Sequence, residues 1–456
     1  MAENNQSGHL LSHGLMARYG APNIFLSLVA FPLAVHLPTF YSKYHALDFA
    51  LVGIIIALSR LTDVFTDPLI GMWSDKTRTR IGRRKPFILV GVPLYLAAIW
   101  LLFVPIEGLV GPAYLFICVA ALYLAHTLTD LPYKAWGAEL TPNYSERSRV
   151  TGWREGFGLG GLVLALVIPL AMVLVGFEDL PSWMLGMAII SVIGLPILFF
   201  VTLVTIKEPT PEALADAQQM KWLEGLKIVF RNPHFTKLLW ASILLVTSGT
   251  MTATLGFPFI TTVLGVPEAD YPYYILAYYA GSTIAIPFWL RLSDKIGKHK
   301  AITIAVAWLS LWSLPIPFLL EAPIGWFILC MMMKGSTVGA LALLPPSMAA
   351  DVVDYDTVQS GEQRSGLYFS LWGMIYKASV AVGVVLATSI TASVGFSPAN
   401  EFHDDTTRFV VAFCYSLGPA LIALIAVPTI WRFRITKQVQ EDLRRDIEAR
   451  KMAVST

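Results

Sequence analysis

Three charges stand where an apolar run should carry none: Arg60, Asp63 and Asp67, inside the hydrophobic stretch 47–73. Offsets of three and four residues put all of them on one face of a helix. A charge at the centre of a bilayer costs about 2.5–3.5 kcal/mol on insertion scales, so such groups turn inward and mark ion or substrate paths. One arginine cannot neutralise two aspartates, and the spare carboxylate calls for a cation. Thr66 adds a hydroxyl next to Asp67. Pro68 has no N–H to give the Val64 carbonyl, which frees a further oxygen. Carboxylates, hydroxyl and free carbonyl together suit a hard monovalent cation. The competing reading is an internal ion-pair cluster whose face only packs.

Other polar groups sit in similarly apolar surroundings. Thr127, Asp130 and Lys134 share a helical face in the run 111–134, either as part of a ligand site or as an i,i+4 ion pair near a helix end. Trp153 and Arg154 open the next run, where the arginine is either a site residue or an interfacial anchor. Lys377 lies about eleven residues into the run 367–393, roughly 16 Å deep at 1.5 Å per residue, too far for comfortable snorkelling. Lys334 poses the same problem in the run 324–350 and has no evident partner in the sequence.

The elements that must hold these residues follow from composition. Of 456 residues, 55% are hydrophobic and 14% charged, against about 25% charged in soluble domains, so lipid is the solvent. Apolar runs long enough to cross a bilayer fall at 21–41, 47–73, 86–105, 111–134, 152–176 and 184–206, then at 236–264, 271–290, 300–320, 324–350, 367–393 and 408–431. That predicts an all-α membrane protein of twelve spans, numbered here 1–12, in two pseudo-symmetric six-helix bundles: 1–206 and 236–431, with a linker at 207–235 and a tail at 432–456. Basic residues crowd the 2–3, 6–7 and 8–9 connections and the tail. Acidic residues collect on the other side, so both termini are expected in the cytoplasm. The linker reads as carrying an interfacial amphipathic helix near Met220-Lys-Trp-Leu, and the tail as a solvated helix. Cys118, Cys330 and Cys414 have no paired spacing and read as packing residues. Neither a Gly-x-x-x-x-Gly-Lys loop nor a His-Glu-x-x-His pair occurs, so no enzyme activity, cofactor or nucleic-acid partner is expected.

The halves also rhyme. Gly71-Met-Trp-Ser-Asp75-Lys leads to Gly82-Arg83-Arg84-Lys85 after span 2, and Arg291-Leu-Ser-Asp294-Lys-Ile-Gly297-Lys follows span 8. A duplicated six-helix unit places ligand sites at the midplane between repeats. The first of these motifs resembles the signature between helices 2 and 3 of the major facilitator superfamily. That resemblance implies the twelve-helix fold of the superfamily, with the loop bracing the two halves on the cytoplasmic side.

Arg60-Leu-Thr-Asp63-Val-Phe-Thr66-Asp67-Pro68, taken with Asp351-Val-Val-Asp354-Tyr355 after Leu344-Pro345-Pro346, is similar to one branch of the superfamily. That branch is the glycoside–pentoside–hexuronide:cation symporters, typified by melibiose permease, and animal sodium-dependent lysolipid symporters share the pattern. The resemblance runs from about 19 to 430. It implies that Asp63, Asp67, Thr66 and Thr127 ligate the coupling cation and that Asp130 and Arg154 bind substrate. Lys377 would lie near the cation site, with Arg60 coupled to it. Asp75, Arg83 and Arg84, with Asp351, Asp354 and Arg364, would form the cytoplasmic gate. Two departures bear on the substrate: Ser27 stands at the offset of the branch's helix-1 sugar aspartate, and Lys134 replaces a helix-4 tryptophan. They argue against a galactoside and favour an anionic ligand such as a uronate, a sulfonated sugar or a lysolipid headgroup, with Trp153 near the cavity.

The expectation is a secondary symporter, monomeric and set in a bacterial inner membrane, importing a small polar or anionic solute with Na⁺ by alternating access. H⁺ or Li⁺ stands as the alternative ion at Asp63 and Asp67. A lysolipid-type symporter, and a proton-coupled exporter or facilitator of the same fold, remain the alternative functions.

Overall fold

The computed structural model describes residues 11–141, 144–208, 229–360 and 364–433, together with 435, 438–440, 442 and 445. The expected amphipathic linker helix and most of the tail lie outside the described residues. Among the described residues twelve helical segments are long and apolar enough to cross a membrane: His13–Val35, Phe49–Lys76, Lys85–Phe103, Pro112–Glu139, Glu146–Leu174 and Leu180–Thr205, then Pro233–Val263, Glu268–Ile296, Lys298–Phe318, Ile324–Ser360, Ser365–Ser393 and Asp405–Trp431. No strand occurs among the described residues; Thr79 and Gly82 form one isolated bridge. The all-α, twelve-span reading therefore holds.

Span 1 begins earlier than its hydropathy. Ser12 caps the first helix by accepting from the Leu15 N–H, so polar residues from His13 onward are already helical. Span 10 likewise runs past its apolar stretch to Ser360, carrying Asp351, Asp354 and Asp356 on its last turns.

The chain packs as two compact units, each built from two separate stretches of chain. Unit 1 is Met1–Leu33 with Thr62–Ala217, and unit 2 is Ala34–Leu61 with Gln218–Thr456. The boundary at Thr62 splits span 2 into two helices, Phe49–Leu61 and Asp63–Lys76. Within unit 2 the first of these lies tight against span 11, because a Cβ on Gly53 would sit 1.9 Å from the Thr388 Oγ1. The preceding segment is tied to the start of span 8: Lys43 Nζ and the Tyr44 hydroxyl each lie 2.7 Å from a Glu268 carboxylate oxygen. The core of unit 2 is rich in small side chains, with Ala305, Ala349, Ala423 and Ala426 essentially inaccessible beside Val306, Met348 and Val352. Small residues let membrane helices approach closely where no water drives them together.

Unit 1 shows the same economy where spans 3 and 4 meet, a Cβ on Gly91 falling 2.4 Å from the Thr129 Oγ1. Its half of span 2 is two-faced. Phe65 and Leu69 are 72% and 60% exposed on one side, while Asp63, Ile70 and Ser74 are buried on the other. Apolar side chains that open need lipid outside, so the charged stripe is the one that faces protein.

Candidate functional site

Span 4 supplies a partner for one of the helix-2 carboxylates. The Thr127 hydroxyl donates to Asp67 Oδ1 at 2.9 Å, joining two residues that the family resemblance implies for one cation set. Asp63 is 2% exposed and opens the first turn of the helix Asp63–Lys76. Asp67 lies one turn on, and Pro68 sits inside that helix, so the Val64 carbonyl receives no i→i+4 bond. The Thr66 hydroxyl is buried with no hydrogen-bond partner. A buried orphan hydroxyl beside two carboxylates and a freed carbonyl is a donor set that fits an alkali cation; burying such a hydroxyl unsatisfied is costly.

Just under one turn further along span 4 is a second polar group. Asp130 is 8% exposed, and its Oδ2 lies 2.5 Å from Lys134 Nζ and 3.8 Å from His126 Nε2. The i,i+4 ion pair is therefore present, and it stands inside a larger cluster, since the Arg154 charge also acts on Asp130. Arg154 is 9% exposed, pairs with Glu155, and keeps its Nε without a partner. Its carbonyl accepts from Asn23 Nδ2 at 2.9 Å. Ser27 is drawn into the same corner: a Cβ on Gly158, one turn after Arg154, would meet the Ser27 Oγ at 2.9 Å and Asn23 Nδ2 at 2.6 Å. Trp153 is half-buried, its ring 5.9 Å from His13 and 6.0 Å from Phe157. Spans 1 and 4 are locked by a reciprocal pair, in which the Tyr19 hydroxyl donates to the Tyr133 carbonyl at 2.8 Å and the Tyr133 hydroxyl donates to that of Tyr19. Ser27, Asp130, Lys134 and Arg154 thus line one region of unit 1. His126, Asn23 and the tyrosine pair belong with them and were missed. Their only trace in the sequence is polarity inside an apolar run, which tyrosine and histidine show weakly.

The connection after span 2 is a dense charge cluster. Arg84 is 4% exposed and reaches Asp75 Oδ1, Glu139 Oε1 and Ser74 Oγ, each at 2.6 Å; Arg83 also meets Glu139 at 2.6 Å. Burial works against the Arg84 charge, yet Glu139 and Asp75 outweigh it and hold the guanidinium above its ordinary value. Two helix ends are satisfied reciprocally beside it. The Glu208 carboxylate accepts from the backbone N–H groups of Arg83, Arg84 and Lys85 at 2.5, 3.0 and 2.7 Å, filling the N-terminus of span 3. Lys85 Nζ does the converse at the end of span 6, donating to the Leu203 and Ile206 carbonyls at 2.8 Å. Gly82, at φ +124°, leaves the room this requires, because a Cβ there would fall 2.6 Å from the Glu208 carboxylate. Glu139 and Glu208 were invisible to the motif because one ends span 4 and the other follows span 6.

The remaining expected residues belong to unit 2. Asp351 is 5% exposed and pairs with Lys298 at 2.6 Å; Arg364 lies 4.0 Å from Asp356, and Asp354 is half-buried one turn after Asp351. Arg60 ends the helix Phe49–Leu61, and Lys377 is half-buried on span 11, the helix against which that segment packs. Lys334 is 1% exposed, and its ammonium rests on the Tyr415 carbonyl at 3.0 Å.

Twelve apolar spans carrying buried carboxylates, a carboxylate–hydroxyl cluster and a polar corner in one unit define an integral membrane protein of the transporter class. Residues 18–437 match the family described as MFS/sugar transport protein, and the chain belongs to that family. Among its relatives are the inner membrane symporter YicJ of Escherichia coli, 24% identical with 90% of this chain and 88% of the relative covered. The glucuronide carrier protein homolog of the same organism is 24% identical over 92% of each. A sodium-dependent lysophosphatidylcholine symporter 1-A of Danio rerio is 24% identical, covering 88% of this chain and 83% of its own. The crystal structure of a mutant of the nucleoside transporter NupG superposes with a TM-score of 0.68 at 15% identity, over 92% of this chain and 100% of that one, a likeness of fold.

Proposed function

We propose that this protein is a Na⁺-coupled symporter of a bacterial inner membrane that imports a small anionic sugar derivative, both termini lying in the cytoplasm. The observation that carries the coupling is the Asp67–Thr127 hydrogen bond beside buried Asp63 and the partnerless Thr66 hydroxyl. A Na⁺ ion entering there takes oxygens from Asp63, Asp67, Thr66 and Thr127 and cancels carboxylate charge that is costly at membrane depth. Lys377 and Arg60, both in unit 2, are the basic groups assigned to coupling. Once the carboxylates are neutralised, a solute carrying its own negative charge binds at Arg154 and Lys134, taking Lys134 from Asp130, while Ser27 and Trp153 contact its uncharged part. The loaded carrier then rocks between outward and inward access. On the cytoplasmic side the gate residues are assigned within each unit, Asp75, Arg83 and Arg84 in unit 1 and Asp351, Asp354 and Arg364 in unit 2. Coupling is reciprocal: a solute that binds more tightly with Na⁺ present must tighten Na⁺ by the same factor.

The anionic class rests on the basic side chains of the corner and agrees with the glucuronide carrier homolog among the relatives. A lysolipid headgroup, suggested by the lysophosphatidylcholine relative, is the second reading, since a phosphate would engage the same two cations. A thermal-shift screen of purified protein separates them. Uronates are expected to raise the melting temperature with Na⁺ and much less in K⁺, with neutral galactosides inactive. Stabilisation by lysolipids alone would transfer the assignment to the second reading, and stabilisation by neutral galactosides alone would remove the anionic class.

A further inference from the structure

Span 12 is broken in the middle. Its helices Asp405–Tyr415 and Leu417–Trp431 flank Ser416, at φ −127° and ψ −78°. Pro419 stands four residues after Tyr415 and has no N–H, so the helix cannot supply the Tyr415 carbonyl with its i→i+4 bond. Other elements of unit 2 supply donors instead. The Thr252 hydroxyl of span 7 donates to it at 3.1 Å, and Lys334 Nζ of span 10 donates at 3.0 Å. One turn before Thr252, Ser248 donates to the Pro419 carbonyl at 2.7 Å.

The ammonium has an unusual set of neighbours. Besides the carbonyl it has the Thr252 Oγ1 at 3.5 Å and the Tyr415 ring, whose centroid is 4.5 Å away. Among the described residues no carboxylate oxygen lies within 4.0 Å of it. Lys334 is ten residues into Ile324–Ser360, about 15 Å at 1.5 Å per residue, and next to that span's own bend. The helix stops at Gly335 and resumes at Val338, with Thr337 Oγ1 donating back to the Lys334 carbonyl at 2.8 Å. A carbonyl freed at a helix break, a hydroxyl and an aromatic face are the groups with which broken membrane helices hold a monovalent cation.

We propose that the break in span 12 is a monovalent-cation site filled by the chain's own ammonium, Lys334. The tethered charge ties the bend of span 10 to the break of span 12, and it cannot exchange with solution. Lys334 is thus a positioning residue of unit 2. This reading does not depend on Na⁺ coupling, because it involves none of the residues of the helix-2 carboxylate set.

Chemical rescue in the full-length purified protein tests it. Lys334→Ala removes the ammonium and leaves its space, and it is expected to lower the melting temperature. Methylammonium or ethylammonium should recover at least half of that loss, and tetraethylammonium at equal ionic strength should recover none. Lys334→Met fills the space without a charge; it should melt low and stay unrescued, and wild type should not respond to the amines. If Lys334→Ala yields no monodisperse protein, Lys334→Met alone decides, its lowered melting temperature supporting the tether. The proposal is overturned if Lys334→Met melts with wild type, or if amines stabilise Lys334→Ala and Lys334→Met equally.

Discussion

Asp67→Asn is expected to abolish the response of this protein to Na⁺ while leaving it folded. The asparagine oxygen can still accept the Thr127 hydroxyl that Asp67 accepts at 2.9 Å, so the contact between spans 2 and 4 survives. What disappears is one unit of negative charge at contact distance from the ion. At 4 Å and an effective dielectric constant of 20 that is worth about 4 kcal/mol, or close to three orders of magnitude in affinity. A fall of at least ~100-fold in Na⁺ affinity is therefore expected, read as the Na⁺ concentration that half-maximally stabilises the protein or its solute complex. Asp63→Asn should behave alike, whereas Thr127→Val, which removes a neutral ligand, should cost about tenfold, the scale of one ordinary hydrogen bond. Unchanged Na⁺ stabilisation in both asparagine variants would leave the helix-2 face as packing and nothing more.

The second large effect is structural. Arg84→Ala should lower stability by about 3–5 kcal/mol, the usual result of removing one partner from a buried ion-pair network. Arg84 is 4% exposed and satisfies Asp75, Glu139 and Ser74 at once, and its loss leaves Glu139, among the described residues, with Arg83. Adding Glu139→Ala to Arg84→Ala should cost less than the sum of the two single changes, because each removes the same contact. The check is the melting temperature of the purified variants in detergent. A wild-type value for Arg84→Ala, or strict additivity in the double variant, would show that the cluster is solvated and energetically idle.

These two sites differ in how far they were legible beforehand. Period, length and charge gave the twelve spans, because a bilayer leaves the backbone few options. The helix-2 face could be read from Asp63, Thr66, Asp67 and Pro68 because all four lie within six residues of one helix. Thr127 was reached only through family likeness, and its hydrogen bond to Asp67 depends on how spans 2 and 4 pack. Glu139 and Glu208 meet the motif from the ends of spans 4 and 6, and nothing local distinguishes them from interfacial acids. Lys334 stood out in the sequence as a stranded charge, yet its partner is a backbone carbonyl. A carbonyl has no letter in the sequence, and Pro419, whose missing N–H frees this one, was not singled out there. Helix ends past the apolar runs, at His13 and Ser360, were hidden for a similar reason, since polar residues there are held by caps and pairs rather than by lipid.

The central claim is coupling, and uptake into proteoliposomes under an imposed Na⁺ gradient at one fixed pH measures it most directly. With a uronate-class solute identified by the stability screen, the inward Na⁺ gradient should drive accumulation above the outside concentration. Replacing Na⁺ by K⁺ should collapse it to equilibration, and Asp67→Asn should equilibrate in either salt. Accumulation that ignores Na⁺ and follows a pH gradient instead would contradict the account and assign Asp63 and Asp67 to protons.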